Sequence, residues 1–343
     1  MTINPERPAL PDDVVPDDPS ADAAVPPPLD PDAPVLAGAG GGAAAAAAAA
    51  ADLAATQAAA RAARKTARRE SWRLLRRRPA FISGVFIVLV WVICAIGGRS
   101  IAPHDPIIGD PFFTHVGPGS KNGEYLLGTD RLGRDVLSRV IVGARDVLIV
   151  APLAAVLGII LGTMIGLIMG YYRGLVDDIL SRIVEAFISL PVALVGLLAL
   201  VVFPPSRLTL ILVVGGLFAP IVARTVRAAV LSERELDYVQ AARLQGESSL
   251  YIMVREILPN VTGPIIVEFT VRIGFAIFTV ATLSFLGVGI QPPTPDWGLM
   301  ITEEYSQIID GFWWPVMFPS LAIASMVVAV NLIADALQGV LER

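Results

Sequence analysis

Apolar and polar positions along this chain are segregated into long blocks rather than alternating residue by residue. Six blocks are almost wholly apolar, near Ala80–Gly97, Val147–Gly170, Ile183–Phe203, Leu208–Val226, Ile265–Ile290 and Pro315–Leu337. Each is long enough to cross a ~30 Å hydrocarbon core at ~1.5 Å per helical residue. The pattern predicts an all-α integral membrane protein with six transmembrane helices. Two polar blocks interrupt it, Arg99–Arg145 after the first span and Arg227–Asn260 after the fourth.

Composition agrees with a membrane setting, since 55% of the 343 residues are hydrophobic and only 17% are charged. The net charge of −5 hides a segregation of its own. Residues 1–42, with repeated Asp and the run Pro26-Pro27-Pro28, bury too little apolar surface to offset chain entropy and are expected to be a disordered tail. Residues 43–79 begin with an alanine run, the best intrinsic helix former, and continue through Arg61, Arg64, Lys65, Arg68 and Arg69 to Arg76-Arg77-Arg78. This reads as a basic cytosolic helix and juxtamembrane segment, a topology signal in contact with lipid headgroups rather than with nucleic acid. The N-terminus lacks the basic-then-apolar pattern of a signal peptide. A single cysteine, Cys94, excludes an intrachain disulfide, and His104 and His115 are expected as exposed loop residues, so no metal site is expected.

The basic cluster before the first span places the N-terminus in the cytosol, and six crossings return the C-terminus there. The loop Gln291–Trp314 contains no Lys or Arg, as an outside loop should, and the arginine-bearing stretch 227–255 falls inside. The segment 98–145, external by this count, strains the rule because it carries several basic residues of its own.

The segment Asp237–Asn260, DYVQAARLQGESSLYIMVREILPN, is polar, cytosolic and wedged between two spans. Ala241, Ala242 and Gly246 are small residues on an expected short helix, which lets another protein surface approach; Gly246 is also suited to a φ > 0 turn. Leu258-Pro259 is expected to start the next span, where proline costs no helical hydrogen bond. Periodicity alone also fits an ordinary amphipathic connection.

The segment resembles the cytoplasmic coupling motif of permease subunits of ATP-binding-cassette (ABC) importers: E-A-A, three residues, G, about nine residues, then apolar-Leu-Pro. Gln240-Ala241-Ala242, Gly246 and Ile257-Leu258-Pro259 match, with Gln240 in place of the usual Glu. Tyr125–Arg145 (YLLGTDRLGRDVLSRVIVGAR), Leu283–Gly298 (LSFLGVGIQPPTPDWG) and Trp313–Ile323 (WWPVMFPSLAI) are similar to the dipeptide, oligopeptide and nickel permeases of the DppC/OppC type. The resemblance covers about Arg73 to Arg343 and implies the six-helix, MetI-like permease fold over residues 80–343. It implies a second homologous permease as partner and two cytosolic ATPase subunits docked on a coupling segment at 231–260, through Tyr238, Gln240, Ala241, Ala242, Arg243, Gly246, Leu258 and Pro259. It further implies an extracytoplasmic substrate-binding protein, and ATP and Mg on the ATPase partners. This chain lacks a G-x-x-x-x-G-K-[ST] phosphate loop, so it is expected to be non-catalytic. The subfamily often has a Glu where this chain has Val280, so a role resting on that carboxylate does not carry over.

Single polar residues carry two readings each. Asp130, Arg134 and Asp135, among Gly128 and Gly133, either contact the binding protein or shape the outer gate, or hold a compact structural turn. Glu268 and Arg272, four apart within the fifth span, form a structural ion pair or line the pathway or permease interface; Asn331 and Asp335 in the last span are further intramembrane polar candidates. Glu185 reads as an interfacial charge near Arg182, and Trp297, Trp313 and Trp314 as an interfacial aromatic belt.

Against the importer permease stand two other classes. A self-contained secondary transporter or channel would show inverted repeats or broken helices near the midplane. An intramembrane enzyme would need acid–base groups in the spans, where no histidine falls and Asp335 is the lone aspartate. Dipeptides, longer peptides, nickel complexes and haem are not separated by these motifs.

Overall fold

The computed structural model describes residues 78–120 and 124–341; the tail at 1–42 and nearly all of the basic segment at 43–79 lie outside the described residues. Among the described residues the chain is helical, with isolated bridges at Ser120–Tyr125 and Thr129–Asp135 in place of any sheet. Five helices are long and apolar enough to cross a membrane: α1 (Pro79–Gly97), α2 (Val136–Tyr172), α5 (Arg207–Glu233), α7 (Thr262–Phe285) and α9 (Trp314–Leu341). The expected third span is a bent pair, α3 (Leu175–Ile188) and α4 (Val192–Val202), meeting at 89°. A single straight helix at Ile183–Phe203 is therefore corrected: Pro191 lacks an amide hydrogen, and it caps α4 rather than continuing α3. Two short helices complete the set, α6 (Asp237–Leu244) and α8 (Trp297–Glu304).

The second span starts eleven residues before the hydropathy block. Asp135 caps it, its side chain accepting from Ser138 N–H at 2.9 Å, and the first turns are polar yet buried beneath the loop at 98–135. The expected start of the fifth span at Leu258-Pro259 is likewise corrected. Those residues end a helical segment made of Ser249–Tyr251, a π-helical turn Ile252–Ile257 and Leu258–Asn260, and α7 begins afresh at Thr262.

The tightest seam joins α2 to α5. Gly158, Gly162, Gly166 and Gly170 recur every four residues on one face of α2 and pack against Gly215, Ala219, Ala223 and Val230 of α5. A Cβ on Gly162 would lie 2.7 Å from the Ala219 carbonyl oxygen, and one on Gly166 2.7 Å from that of Ala223. Lipid tails are as apolar as leucine, so spans associate through such close backbone approach rather than through hydrophobic expulsion.

Two of the three expected belt tryptophans are core residues. Trp297 is 0% exposed and donates its Nε1–H to the Val140 carbonyl (2.9 Å); buried Trp314 donates to the Thr129 carbonyl (3.0 Å). Each indole finds its partner on the protein backbone and so does not need the headgroup layer. Trp313 alone stays exposed.

Candidate functional site: two ends of one bundle

At one end, α6 packs on the last turns of α2 and α5. Val239 and Ala242 face inward with Ile252, Met253 and Ile257 against Leu167, Val222, Val226 and Val230. The Tyr238 hydroxyl donates to Glu233 Oε1 (2.6 Å) and accepts from Asn260 Nδ2 (3.0 Å), so one side chain ties α5, α6 and the 249–260 segment together. Burial, with the Glu233 carboxylate adding to it, pushes the phenol up to about 12, which keeps it a donor at any cellular pH. Gln240 donates from Nε2 to the Arg234 carbonyl (3.2 Å), a bond that the usual Glu, acceptor-only when ionised, does not make. The Arg243 guanidinium lies 5.0 Å from the centre of the Tyr171 ring.

Gly246 sits at φ +79° and reverses the chain, its amide bonded to the Arg243 carbonyl; no atom lies within 4 Å of where its Cβ would be, so the demand is conformational rather than spatial. Of the small residues, Ala242 serves the inner packing and Ala241 faces out. Leu244 at one end of this turn is 90% exposed and Leu250 at the other 68%, with exposed polar Gln245, Glu247 and Ser248 between them. Leu258 is half-buried and Pro259 exposed.

At the other end, the loop at 98–135 and α8 are joined by buried ion pairs. Arg134 donates to Asp130 Oδ2 (2.5 Å) and to Glu303 Oε2 (2.7 Å), while Arg139 donates to the same Glu303 oxygen (3.3 Å) and to the Pro106 carbonyl (3.1 Å). The other oxygen of Asp130 accepts the amides of Leu132 and Arg134, closing a turn around Gly133. Glu304 accepts the Arg131 amide (3.1 Å) and lies 3.2 Å from His115 Nε2; burial pushes its carboxyl up. Asp130, Arg134 and Asp135 are all buried, so none presents a surface to a delivery protein in this structure.

Sequence reading missed Glu303, Glu304 and Arg139. The available signal was complementary: acids without bases at 291–314, and Arg131, Arg134 and Arg139 close together in the polar segment before the second span. The histidines are not free loop residues. His115 is half-buried on Glu304 and stacked 4.1 Å from Phe312, and His104 lies 3.6 Å from Asp135.

Asp296, wholly buried, caps α8 by accepting the Leu299 amide (3.0 Å). Burial pushes its carboxyl from 3.8 up to about 6, with the amide bond opposing. A raised carboxyl means that folding favours the neutral acid: the stabilisation is complete below the unfolded value and is lost as pH rises through about 6. The thermal midpoint of the detergent-solubilised protein is expected to fall over about pH 4 to 7, with a loss on the order of 2–3 kcal/mol. Asp296→Asn keeps the cap and should flatten that slope; an unchanged slope would place the titration elsewhere.

Between the two ends, Glu268 and Arg272 pair on α7 (2.7 Å), and the guanidinium lies over Phe275 at 5.2 Å. Asn331 and Asp335 are exposed one turn apart on α9. Arg182 and Glu185 are both exposed and not paired with each other among the described residues; the ion pair of this region, Asp177 to Arg227, is bidentate at 2.5 and 2.6 Å and was not anticipated.

A bundle of membrane-crossing helices with an anchored turn at one end and an ion-paired cap at the other fits a membrane permease subunit. Residues 162–343 match the family described as binding-protein-dependent transport system inner membrane component. Residues 66–118 match the N-terminal TM domain of oligopeptide transport permease C. The chain is 40% identical over 281 residues to the dipeptide transport system permease protein DppC of Escherichia coli (strain K12), covering 80% of this chain and 92% of that protein. It is 34% identical over 277 residues to the di/tripeptide transport system permease protein DppC of Pseudomonas aeruginosa (strain UCBPP-PA14), covering 80% and 91%. It is 34% identical over 276 residues to the dipeptide transport system permease protein DppC of Bacillus subtilis (strain 168), covering 80% and 85%. The chain belongs to the family of binding-protein-dependent transport system inner membrane components, and is a multi-pass permease subunit of a bacterial ABC transporter. The bent α3–α4 pair is a feature shared with self-contained secondary transporters, but family membership assigns it to an ABC subunit.

Proposed function

We propose that this chain forms half of the path by which dipeptides and oligopeptides cross the cytoplasmic membrane into the cell. A second, homologous permease supplies the other half. Two cytosolic ATPase subunits, which hold ATP and Mg, drive the pair, and an extracytoplasmic binding protein delivers the peptide; this chain itself is non-catalytic. Its N- and C-termini face the cytosol. The relatives' peptide substrates support the cargo, and the exposed polar pair Asn331 and Asp335 supports a protein or aqueous neighbour at α9, since polar side chains avoid hydrocarbon.

The observation that carries the reading is the turn at Leu244–Leu250. A soluble loop has little reason to fix a nearly bare Leu244 at the end of a helix clamped to the bundle by Tyr238 and the Val239 side of α6, with exposed Leu250 across the turn. Such a knob transmits a push only if a partner's pocket receives it. Leu244→Asp is therefore expected to leave the permease folded and paired while ATPase subunits are lost from a mild-detergent pull-down, with peptide uptake falling at least tenfold. Retention of the ATPase subunits and of uptake would refute this docking site.

A further inference from the structure

The break between α3 and α4 lies at the middle of the bundle. Asp177 at the start of α3 pairs with Arg227, near the end of α5, and ten residues later Phe187 shares a cavity wall with Gly216 and Pro220, the midpoint of α5. The backbone is left open there. The Glu185, Ala186 and Phe187 carbonyls are satisfied by the Ser189 amide, the Ser189 hydroxyl and the Leu190 amide. The carbonyls of Ile188, Ser189 and Leu190 and the amides of Val192 and Ala193 have no partner among the described residues. Ser189, Leu190 and Pro191 are all exposed.

Hydrocarbon does not tolerate such groups; irregular backbone at membrane depth occurs only where it is buried in protein or lines water. A neighbouring helix covers such groups only through side-chain donors and acceptors, because its own backbone groups are already paired. A second observation points the same way. Asp178, Arg182, Glu185 and Ser189 recur at i, i+4, i+7 and i+11, which is one face of α3, and all four are exposed. This polar stripe runs from the coupling-segment end of the bundle to the break, so that face meets water or a polar surface rather than hydrocarbon along its length.

We propose that the α3–α4 break is a hydrogen-bonding station for the main chain of the transported peptide, reached along the Asp178–Ser189 face of α3. Open carbonyls take a peptide's N–H groups and its terminal ammonium, and open amides take its carbonyls. Recognition through main-chain groups alone ignores side-chain identity, which suits a permease that must pass many sequences. The inference rests on the peptide-importer reading given above.

The test uses the assembled transporter in inside-out vesicles. Cys94 is the only cysteine of this chain, so Cys94→Ala makes this chain thiol-free, and labelling is read on its own gel band. Ser189→Cys and Leu190→Cys are expected to react with a charged, membrane-impermeant methanethiosulfonate, and dialanine should slow that reaction at least threefold. Leu89→Cys, on the apolar outer face of α1, should stay inert. ATP-driven release of dialanine, enclosed with the binding protein in the lumen, is measured in the same vesicles, because inversion turns import into outward movement. Intact release with both break positions inert, or reactive at a rate that dialanine leaves unchanged, overturns the station alone. Absence of ATP-driven dialanine release by the unmodified transporter overturns the peptide reading and the station together.

Discussion

Arg139→Met is expected to be among the most damaging single changes in the protein. The guanidinium is 1% exposed and sits on Glu303, Asp130 and the Pro106 carbonyl. Removing it leaves Glu303 and Asp130 to share Arg134, with one negative charge uncompensated in a buried site. Breaking a buried pair from one side costs about 3–5 kcal/mol, because the remaining charge keeps its desolvation penalty. The expected result is a large loss of monodisperse protein in size-exclusion chromatography and a clear drop in thermal midpoint. Arg139→Met combined with Glu303→Gln removes one charge of each sign and should recover most of the loss. If the double variant is as unstable as the single one, the damage comes from lost packing rather than from charge.

Gly166→Leu is the second. Even a methyl group there would stand 2.7 Å from the Ala223 carbonyl oxygen and 2.8 Å from Val226 Cβ, both on the rigid face of α5. Overpacking costs about 1–3 kcal/mol where a core can adjust. Here the whole α2–α5 seam must part, so the glycine contacts on either side are lost as well, and little folded protein is expected in the membrane. Gly216→Ala is the matched control. No atom lies within 4 Å of that Cβ, and alanine in a helix interior gains up to about 1 kcal/mol over glycine. Equal expression of both variants would show that the seam is not what holds these two helices.

The broad architecture was legible because long apolar runs have few alternatives in a bilayer. Five of the six runs became helices near the expected places, and the coupling motif gave both a short helix and the Gly246 turn. The misses share one cause. Hydropathy scores residues one at a time, whereas Arg139, Glu303 and Glu304 are tolerated only as a set drawn from segments 164 residues or more apart. The same blindness hid the start of α2, whose first turns are polar but buried, and sent Trp297 to the headgroup layer when its N–H had a carbonyl waiting in α2. The break at Pro191 escaped because an apolar run with one proline reads like an apolar run without it. Pro152 and Pro220 lie inside unbroken helices α2 and α5, so proline by itself does not announce a bend.

The central claim is that this chain moves peptides only as one half of an ATP-driven heteromer. The most direct measurement is uptake of a radiolabelled dipeptide into proteoliposomes that contain this chain with its co-purified permease, ATPase and binding-protein partners, compared with proteoliposomes containing this chain alone. The account predicts uptake that needs ATP, the binding protein and every subunit, and none from the single chain. Uptake by the chain alone, driven by a proton or sodium gradient and indifferent to ATP, would contradict it and restore the secondary transporter.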